Sequence, residues 1–457
     1  MAQLQDIQNI FFLGVGGIGM SALARYYRHC GKNVGGYDRT PSALTKELEK
    51  EGIMITYDDD ANVFNSRFSL FNSPEKTLVV RTPAVPADSI IYTYLRERGF
   101  EIHKRAEVLG MISREKKALC VAGTHGKTTT STMIAHLMQS NAFLGGISMN
   151  YGTNLLLNKD SEYVTVEADE YDRSFHHLAP YISVVTSVDA DHLDIYGTPE
   201  AYRDAFAHYT SLITGALVMK KGIALQPRLQ TGVKCYTYSA TGHADFYADN
   251  IRISDGQISF DYQMPDGMIE NVRLGVPVWV NIENAVAAMA VAHLCGAKDD
   301  AIREAIASFR GVQRRFNIHV NTPKVVYIDD YAHHPDEIAT SIDSVRRLYP
   351  SRKMIGVFQP HLYTRTRDFA DGFARVLSTL DECILLPIYP ARELPIPGVT
   401  SDMLLGKIGR GTLIEKADLA KELKSRVEQS DKPVVIMTIG AGDIDRLVPE
   451  ITEILGK

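Results

Sequence analysis

Three successive α/β units are the architecture that this chain of 457 residues predicts. Three observations carry it. Short apolar strands alternate with helix-period segments along most of the chain. Two of the strands run directly into glycine-rich turns, at 14–19 and at 123–126. The pattern then starts afresh near 114 and near 314, which divides the chain into 1–113, 114–313 and 314–457. One hydrophobic core does not serve such a length, so separate domains are the expected outcome.

In the first unit, the strand Ile10–Leu13 leads into GVGGIGM, and a helix follows through His29 to a stop at Gly31. A second strand ends at Tyr37-Asp38, and a later one, Leu78–Arg81, runs into Thr82-Pro83. Gly14-x-Gly16-x-x-Gly19 after a strand, with Asp38 closing the next, is the fingerprint of a Rossmann-like unit. Physically it says that a diphosphate can rest on a helix N-terminus. A nicotinamide dinucleotide and a UDP-sugar satisfy that geometry equally. An oxidoreductase is therefore one reading, but it leaves the second glycine turn unexplained.

The second unit opens on ALCVAGTHGKTTT (118–130). A buried strand delivers the chain to a tight turn whose N–H groups face an anion, and the following helix adds its positive end. The expected cradle is Gly123, Thr124, His125, Gly126, Lys127, Thr128 and Thr129, although Val121 stands where the general phosphate-loop pattern has its first glycine. Lys127 can reach terminal phosphates and the Thr128 hydroxyl can ligate Mg2+. A P-loop ATPase-type domain using ATP is the expectation. Two more strands, Tyr163–Val166 and Ile182–Val188, end in VEADE (166–170) and VDADHLD (188–194). Strand ends of one parallel sheet share an edge, so Glu167 and His192 are candidate Mg2+ ligands beside the loop. His176-His177 reads as a packing or surface pair, since adjacent residues rarely face one ion. Asp-Gly turns in ISDGQISF and MPDGMIE announce a β-meander inserted within 246–278. NIENAVAAMAVAHLCG (281–296) is a helix stopped by Gly296.

The third unit, again Rossmann-like, has strands at Lys324–Asp329, Met354–Phe358, Cys383–Leu386 and Val434–Thr438. Arg314-Arg315 at its start can clamp phosphates, and Asp330 at a strand end can hold a ribose hydroxyl. His333-His334-Pro335 opens a helix, where an imidazole serves as a cap. Arg365 and Arg367 in FQPHLYTRTRDF (358–369) suit a substrate carboxylate or phosphate, with Arg367 and Asp368 equally readable as exposed helix charges. The stretch PIYPARELPIPG (387–398) reads as a surface loop.

Bulk properties narrow the function. A net charge of −6 argues against nonspecific nucleic-acid binding, which needs basic surface. The five cysteines, Cys30, Cys120, Cys235, Cys295 and Cys383, are scattered without a C-x-x-C pair; most read as buried free thiols in a reducing compartment. No run approaches a membrane span, and MAQLQDIQNIFF lacks signal-peptide features. A cytoplasmic protein without membrane partners is expected.

Taken in order, GVGGIGMSALA (14–24), GTHGKTTT (123–130), VEADEYDRSF (166–175), DHLDIYGT (191–198), NIEN (281–284), RRF (314–316), DDYAHHP (329–335), PHLYTRTRDF (360–369) and GAGDI (440–444) resemble the Mur ligase family over nearly the whole chain. The resemblance implies a UDP-substrate domain, a central ATPase domain and a C-terminal amino-acid domain. It implies ATP-dependent joining of L-alanine to UDP-N-acetylmuramate through an acyl phosphate, in peptidoglycan precursor synthesis. The UDP-substrate set it implies is Gly14, Gly16, Gly17, Ile18, Gly19, Met20, Ser21, Asp38, Thr82 and Pro83. Asn284 corresponds to an adenine contact, Arg315 and Asp330 to a nucleotide grip from the third domain, and Thr128, Glu167 and His192 to the metal set. Lys127, Glu167, His192 and Arg365 are the implied catalytic group. DAFAHY (204–209) lacks the lysine that later-acting relatives carry, as in the alanine-adding branch. A sister branch instead joins a ready-made tripeptide. In PHLYTR, Leu362 replaces a family arginine, while Arg365 remains. A monomer or weak homodimer is expected.

Overall fold

The computed structural model describes residues 7–254, 256–391 and 393–456. Residues 1–6 of the N-terminal reading, Asp255 of the first Asp-Gly turn, Arg392 of the proline-rich loop and Lys457 lie outside the described residues. Within them, one compact unit runs through Tyr247 and adds Gln263–Met268 and Asn284–Ala305. The other comprises Ala248–Tyr262, Ile269–Glu283 and Ile306 onward.

The first unit holds two sheets. Strands β1 (Asn9–Leu13), β2 (Asn33–Tyr37), β3 (Met54–Thr56), β4 (Thr77–Arg81) and β5 (Ile102–Lys104) form an all-parallel sheet in the order β3-β2-β1-β4-β5. Strand order reverses around β1, so the crevice beyond its carboxyl end is the natural ligand position. The glycine loop leaves β1 at this point, and Thr82 follows β4. Phe11 on β1 gathers Phe64, Phe68 and Phe71 edge-on, with ring centroids 4.9–5.9 Å apart. All four rings are fully buried, and each such pair adds about 0.5–1.5 kcal/mol beyond its area.

The second sheet of this unit is built around β6 (Lys117–Ala122), with β9 (Tyr163–Ala168) on one side and β10 (Pro180–Val185) on the other. Beyond them lie β7 (Asn141–Phe143) and β8 (Leu155–Leu156) at one edge, and β11 (Ala216–Lys220) and β12 (Lys234–Ser239) at the other. Leu119, Val121, Val164, Val166 and Val184 are at most 1% exposed, as expected of parallel strands covered on both faces. β6 is again a switch point, and the second glycine turn leaves it there.

The second unit carries most of the expected meander, β13 (Phe246–Ser254), β14 (Gln257–Met264) and β15 (Gly267–Arg273). Asp261 ties it together, accepting from Arg252, Asn250 and the Asn271 N–H, and these donors hold its carboxyl well below the usual range. The helix expected at 281–296 is Trp279–Leu294, and Gly296 stands beyond its end with φ +79°. The unit's own sheet has the order β16-β17-β21-β18-β19-β20, from β16 (Asn317–Asn321), β17 (Val325–Asp330), β18 (Lys353–Phe358), β19 (Glu382–Leu385), β20 (Thr412–Leu413) and β21 (Val434–Ile439). All its pairings are parallel except β16 with β17. All five cysteines are free; Cys120 and Cys383 are buried as expected, whereas Cys30 and Cys235 are exposed.

Candidate active site

The phosphate-loop reading is realised in backbone geometry. β6 ends at Ala122, Gly123 has φ +138°, and Gly126 adopts the left-handed conformation (φ +81°) before the helix Lys127–Met138. That helix starts without a side-chain cap, which leaves its first N–H groups for an anion. The turn is braced from β10's end. Thr186 Oγ1 donates to the carbonyls of Ala122 and His125, and the His125 N–H donates to Ser187 Oγ at 2.9 Å. Thr124 Oγ1 donates to the Asp189 carbonyl and meets the Tyr202 hydroxyl at 3.0 Å. Asn284, 7% exposed, accepts from Thr130 Oγ1 at 3.1 Å, so it touches the helix that opens with the loop. Thr128 and Thr129 are half-buried in the first turn of that helix.

Lys127 is not extended from the loop. Its Nζ folds back onto the Gly123 carbonyl (2.6 Å) and pairs with Glu170 at 2.7 Å. Glu170 is 2% exposed; burial pushes its carboxyl above the usual range, and the Lys127 charge opposes that shift. His192 Nε2 stands 3.9 Å from the same carboxylate and 3.7 Å from Asp191. Lys127, Glu170 and His192 therefore form one cluster at the sheet edge.

Glu167 has neighbours of its own. It lies against Gly145, where a Cβ would stand 2.2 Å from Oε2, so only glycine leaves room for the carboxylate. Glu167 and Asp169 line a cleft of about 290 Å³ together with Gly17, Ile18, Gly19, Met20 and Thr82 of the first glycine loop region. Arg105, Leu109, Phe143 and Leu144 complete much of its wall. The first glycine loop and the end of β9, the strand paired with β6, thus share one cleft inside one compact unit.

Several residues of the expected UDP-substrate set also hold the first glycine loop in shape. Ser21 is fully buried, and its hydroxyl donates to the Ile18 carbonyl and accepts from Asn154. Asp38 braces the loop by accepting from the Gly16 N–H at 2.7 Å. Gly14 (φ +89°) is needed because a Cβ there would stand 2.4 Å from Thr82 Cγ2.

Among the described residues, no group of three or more His, Cys, Asp or Glu side chains is arranged to hold a metal. Oxygen donors on Thr128 and Glu167 nonetheless suit Mg2+, which usually takes one or two carboxylates and completes its shell with phosphate oxygens and water. The alternative pair His176-His177 packs instead: the His176 ring stacks on Phe175 at 4.6 Å, and its Nε2 meets the Ala205 carbonyl.

In the second unit, Arg314 is a structural arginine. It donates to the Gly440 and Gly442 carbonyls at 2.8 and 3.1 Å and stacks over Tyr331. Arg315 stacks over the same ring at 5.3 Å. Asp330 is 6% exposed and accepts from Ser341 Oγ and the Phe316 N–H, so it braces β17 against the helix Pro335–Leu348. His334 caps that helix as expected, accepting from the Asp336 N–H. Arg365 sits 3.3 Å from His361 Nδ1. Burial, then the Arg365 charge and His333, push His361 down to about 4, so at pH 7 it is neutral and accepts from the guanidinium. Arg367 pairs with Asp368 at the surface. Leu362, the departure from the family pattern, has φ +69° at the start of the helix Tyr363–Asp368.

Asp329 gives a pH prediction. Burial raises its carboxyl to about 6, against an ordinary value of 3.8. A raised folded pKa means that stability is fully present below about 3.8 and is lost as pH rises through about 6. The gap corresponds to about 3 kcal/mol at about 1.4 kcal/mol per unit. Asp329→Asn should therefore melt progressively higher than the parent as pH rises from 4 to 7. An equal difference at both ends of that range would refute the assignment.

Three family models match in register with these sites: "Mur ligase family, catalytic domain" at residues 9–117, "Mur ligase middle domain" at 121–292 and "Mur ligase, glutamate ligase domain" at 314–442. The chain is 57% identical to UDP-N-acetylmuramate–L-alanine ligase of Phocaeicola vulgatus, over 99% of both sequences. The chain belongs to the Mur ligase family. Its three-domain α/β fold matches the solved UDP-N-acetylmuramate–alanine ligase of Thermotoga maritima with a TM-score of 0.80 at 28% identity, covering 97% of this chain and 98% of that one. A murein peptide ligase of Psychrobacter arcticus shares the fold of this Mur ligase, with a TM-score of 0.66 at 20% identity over 98% and 99% of the two chains. Among the described residues, no helix is long and apolar enough to cross a membrane.

Sequence reasoning missed Glu170, Asp169 and Arg105 as site residues. A signal for Asp169 was available: strand side chains repeat every two residues, so a residue two beyond Glu167 shares its face.

Proposed function

We propose that this Mur ligase uses ATP to join L-alanine to UDP-N-acetylmuramate in peptidoglycan precursor synthesis. The observation that carries the reading is the cleft lined by both the first glycine loop (Gly17, Gly19, Met20) and Glu167 and Asp169 at the strand end beside the phosphate loop. A UDP-sugar anchored at one end can present its carboxylate at the other.

The chemistry requires such an arrangement. A carboxylate is a poor acylating agent, so its oxygen attacks the γ-phosphorus of ATP, and ADP leaves. The amine of L-alanine then attacks the acyl carbon, and phosphate departs with the bond electrons. The Gly123–Thr129 loop and the uncapped helix end bind the phosphates, and Lys127, moved from Glu170, neutralises charge on the transferring group. Mg2+, when bound, supplies further charge neutralisation, with Thr128, Glu167 and His192 as the proposed holders. Asn284, Arg315 and Asp330 remain the proposed nucleotide contacts. Arg365, kept beside a neutral His361, is the proposed partner of the amino-acid carboxylate.

The proposed division of labour is 1–113 for the UDP-substrate, 114–313 for ATP and 314–457 for the amino acid. Cytoplasmic location, no nucleic-acid or membrane partner, and a monomer or weak homodimer belong to the same reading. The test is phosphate release with ATP, Mg2+ and UDP-N-acetylmuramate, in parallel with L-alanine, glycine, L-serine and the tripeptide, and product masses. Release and mass gain with L-alanine are expected. Release with the tripeptide alone would transfer the chain to the recycling branch, and no release would remove the ligase reading.

A further inference from the structure

Arg105 opens the helix Arg105–Glu115, outside every motif that marks the family in this chain. It is the single Lys, Arg or His among the residues lining the cleft, which also contains the carboxylates of Glu167 and Asp169. Its guanidinium is held from both sides. Nη2 donates to Asp169 Oδ2 at 3.1 Å, and Asp169 is itself fixed by accepting the Tyr171 N–H on Oδ1. Nη1 lies against Gly19, 2.6 Å from where a Cβ would stand. The third glycine of the fingerprint usually admits close helix–strand packing. Here Gly19 admits a guanidinium at the first turn of the helix Ile18–His29.

We propose that Arg105 is a substrate-binding residue of this ligase, giving charge-assisted hydrogen bonds to an oxyanion of UDP-N-acetylmuramate, with Asp169 and Gly19 as its positioning residues. The inference rests on the ligase reading for the identity of the substrate. Arg105 has five donors and uses one on Asp169, so a fork of donors is left for a second anion. Asp169 offsets the charge of the guanidinium. Without Arg105, a substrate with a diphosphate and a carboxylate would enter a cleft whose ionised side chains are both negative. Two groups of the substrate share the required chemistry, the diphosphate and the lactyl carboxylate. They differ in whether UDP alone retains them.

Calorimetric titration of the full chain with UDP-N-acetylmuramate, UDP and a non-hydrolysable ATP analogue separates the possibilities. Arg105→Ala should weaken UDP-N-acetylmuramate at least tenfold and leave the ATP analogue unchanged, with Arg105→Lys recovering part of the loss. A matching loss for UDP assigns the diphosphate; unchanged UDP binding assigns the carboxylate. Gly19→Ala should weaken the same ligand, and its effect should vanish when Arg105 is already alanine. Unchanged UDP-N-acetylmuramate affinity in Arg105→Ala would overturn the proposal. So would an equal loss for the ATP analogue, which would make the residue merely structural. A parent chain that binds the UDP-sugar yet releases no phosphate with L-alanine would remove the ligase reading and leave the anion site standing.

Discussion

Lys127→Ala is expected to lower kcat by about 10²–10³ or more, the usual loss when one contact to developing charge is removed from an enclosed site. The structure adds a second consequence. Lys127 is the ion partner of Glu170, whose side chain is 3% exposed. Removing one partner of a buried pair typically costs about 3–5 kcal/mol, because the remaining charge stays desolvated. The stranded carboxylate relieves this by taking a proton. The Glu170 carboxyl is already raised by burial, and Lys127 is the charge that holds it down. The stability deficit of Lys127→Ala should therefore be absent below the usual glutamate range, near pH 4, and should grow as pH rises above it. Lys127→Met with Glu170→Gln should recover the melting temperature and leave turnover absent. Near-normal phosphate release by Lys127→Ala would refute the role of Lys127. A melting deficit independent of pH would refute the buried pair.

The same pair shows what the sequence does and does not disclose. Each glycine loop was legible because its evidence is local: an apolar run, a turn that only glycine accommodates, then a helix. The carboxylates at the ends of β9 and β10 were legible as a group, because strand ends of a parallel sheet share an edge. Which carboxylate does what was not legible. Glu170 is 43 residues from Lys127, and only the fold brings them to 2.7 Å. Arg105 and Asp169 are separated by 64 residues. The partners of Ser21 were hidden for a different reason. It sits in the fingerprint's helix, but helical rotation turns it inward, and Asn154 from a distant segment completes its burial. Asp330 reads as a ligand from its strand-end position, and its bonds from Ser341 and the Phe316 N–H come only with the fold.

Gly123→Ala should be among the most damaging single-methyl substitutions in the chain. The added Cβ would stand 2.0 Å from Thr186 Oγ1, 2.9 Å from the Ser187 nitrogen and 3.1 Å from the Ser187 oxygen. Two of these three are backbone atoms of the segment after β10, which cannot swing aside as a flexible side chain would. Thr186 Oγ1 is itself bonded to the Ala122 and His125 carbonyls, so moving it breaks the turn's brace. The backbone adds its own penalty, since φ +138° is a region that side chains with a Cβ rarely adopt. Overpacking of about 1–3 kcal/mol and strain of about 1–3 kcal/mol act together, so a loss of about 3 kcal/mol or more is expected in urea unfolding. Gly126→Ala is the informative comparison. Its φ of +81° is also strained, but the nearest atom is Asn284 Oδ1 at 3.0 Å, a side-chain oxygen with some freedom. It should lose about 1–2 kcal/mol, the left-handed penalty alone. Equal losses for the two variants would show that strain, and not the wall formed by Thr186 and Ser187, dictates glycine in this loop. A larger loss at Gly123, together with weakened ATP-analogue binding in both, would show that the strand end of β10 sets the shape of the phosphate cradle.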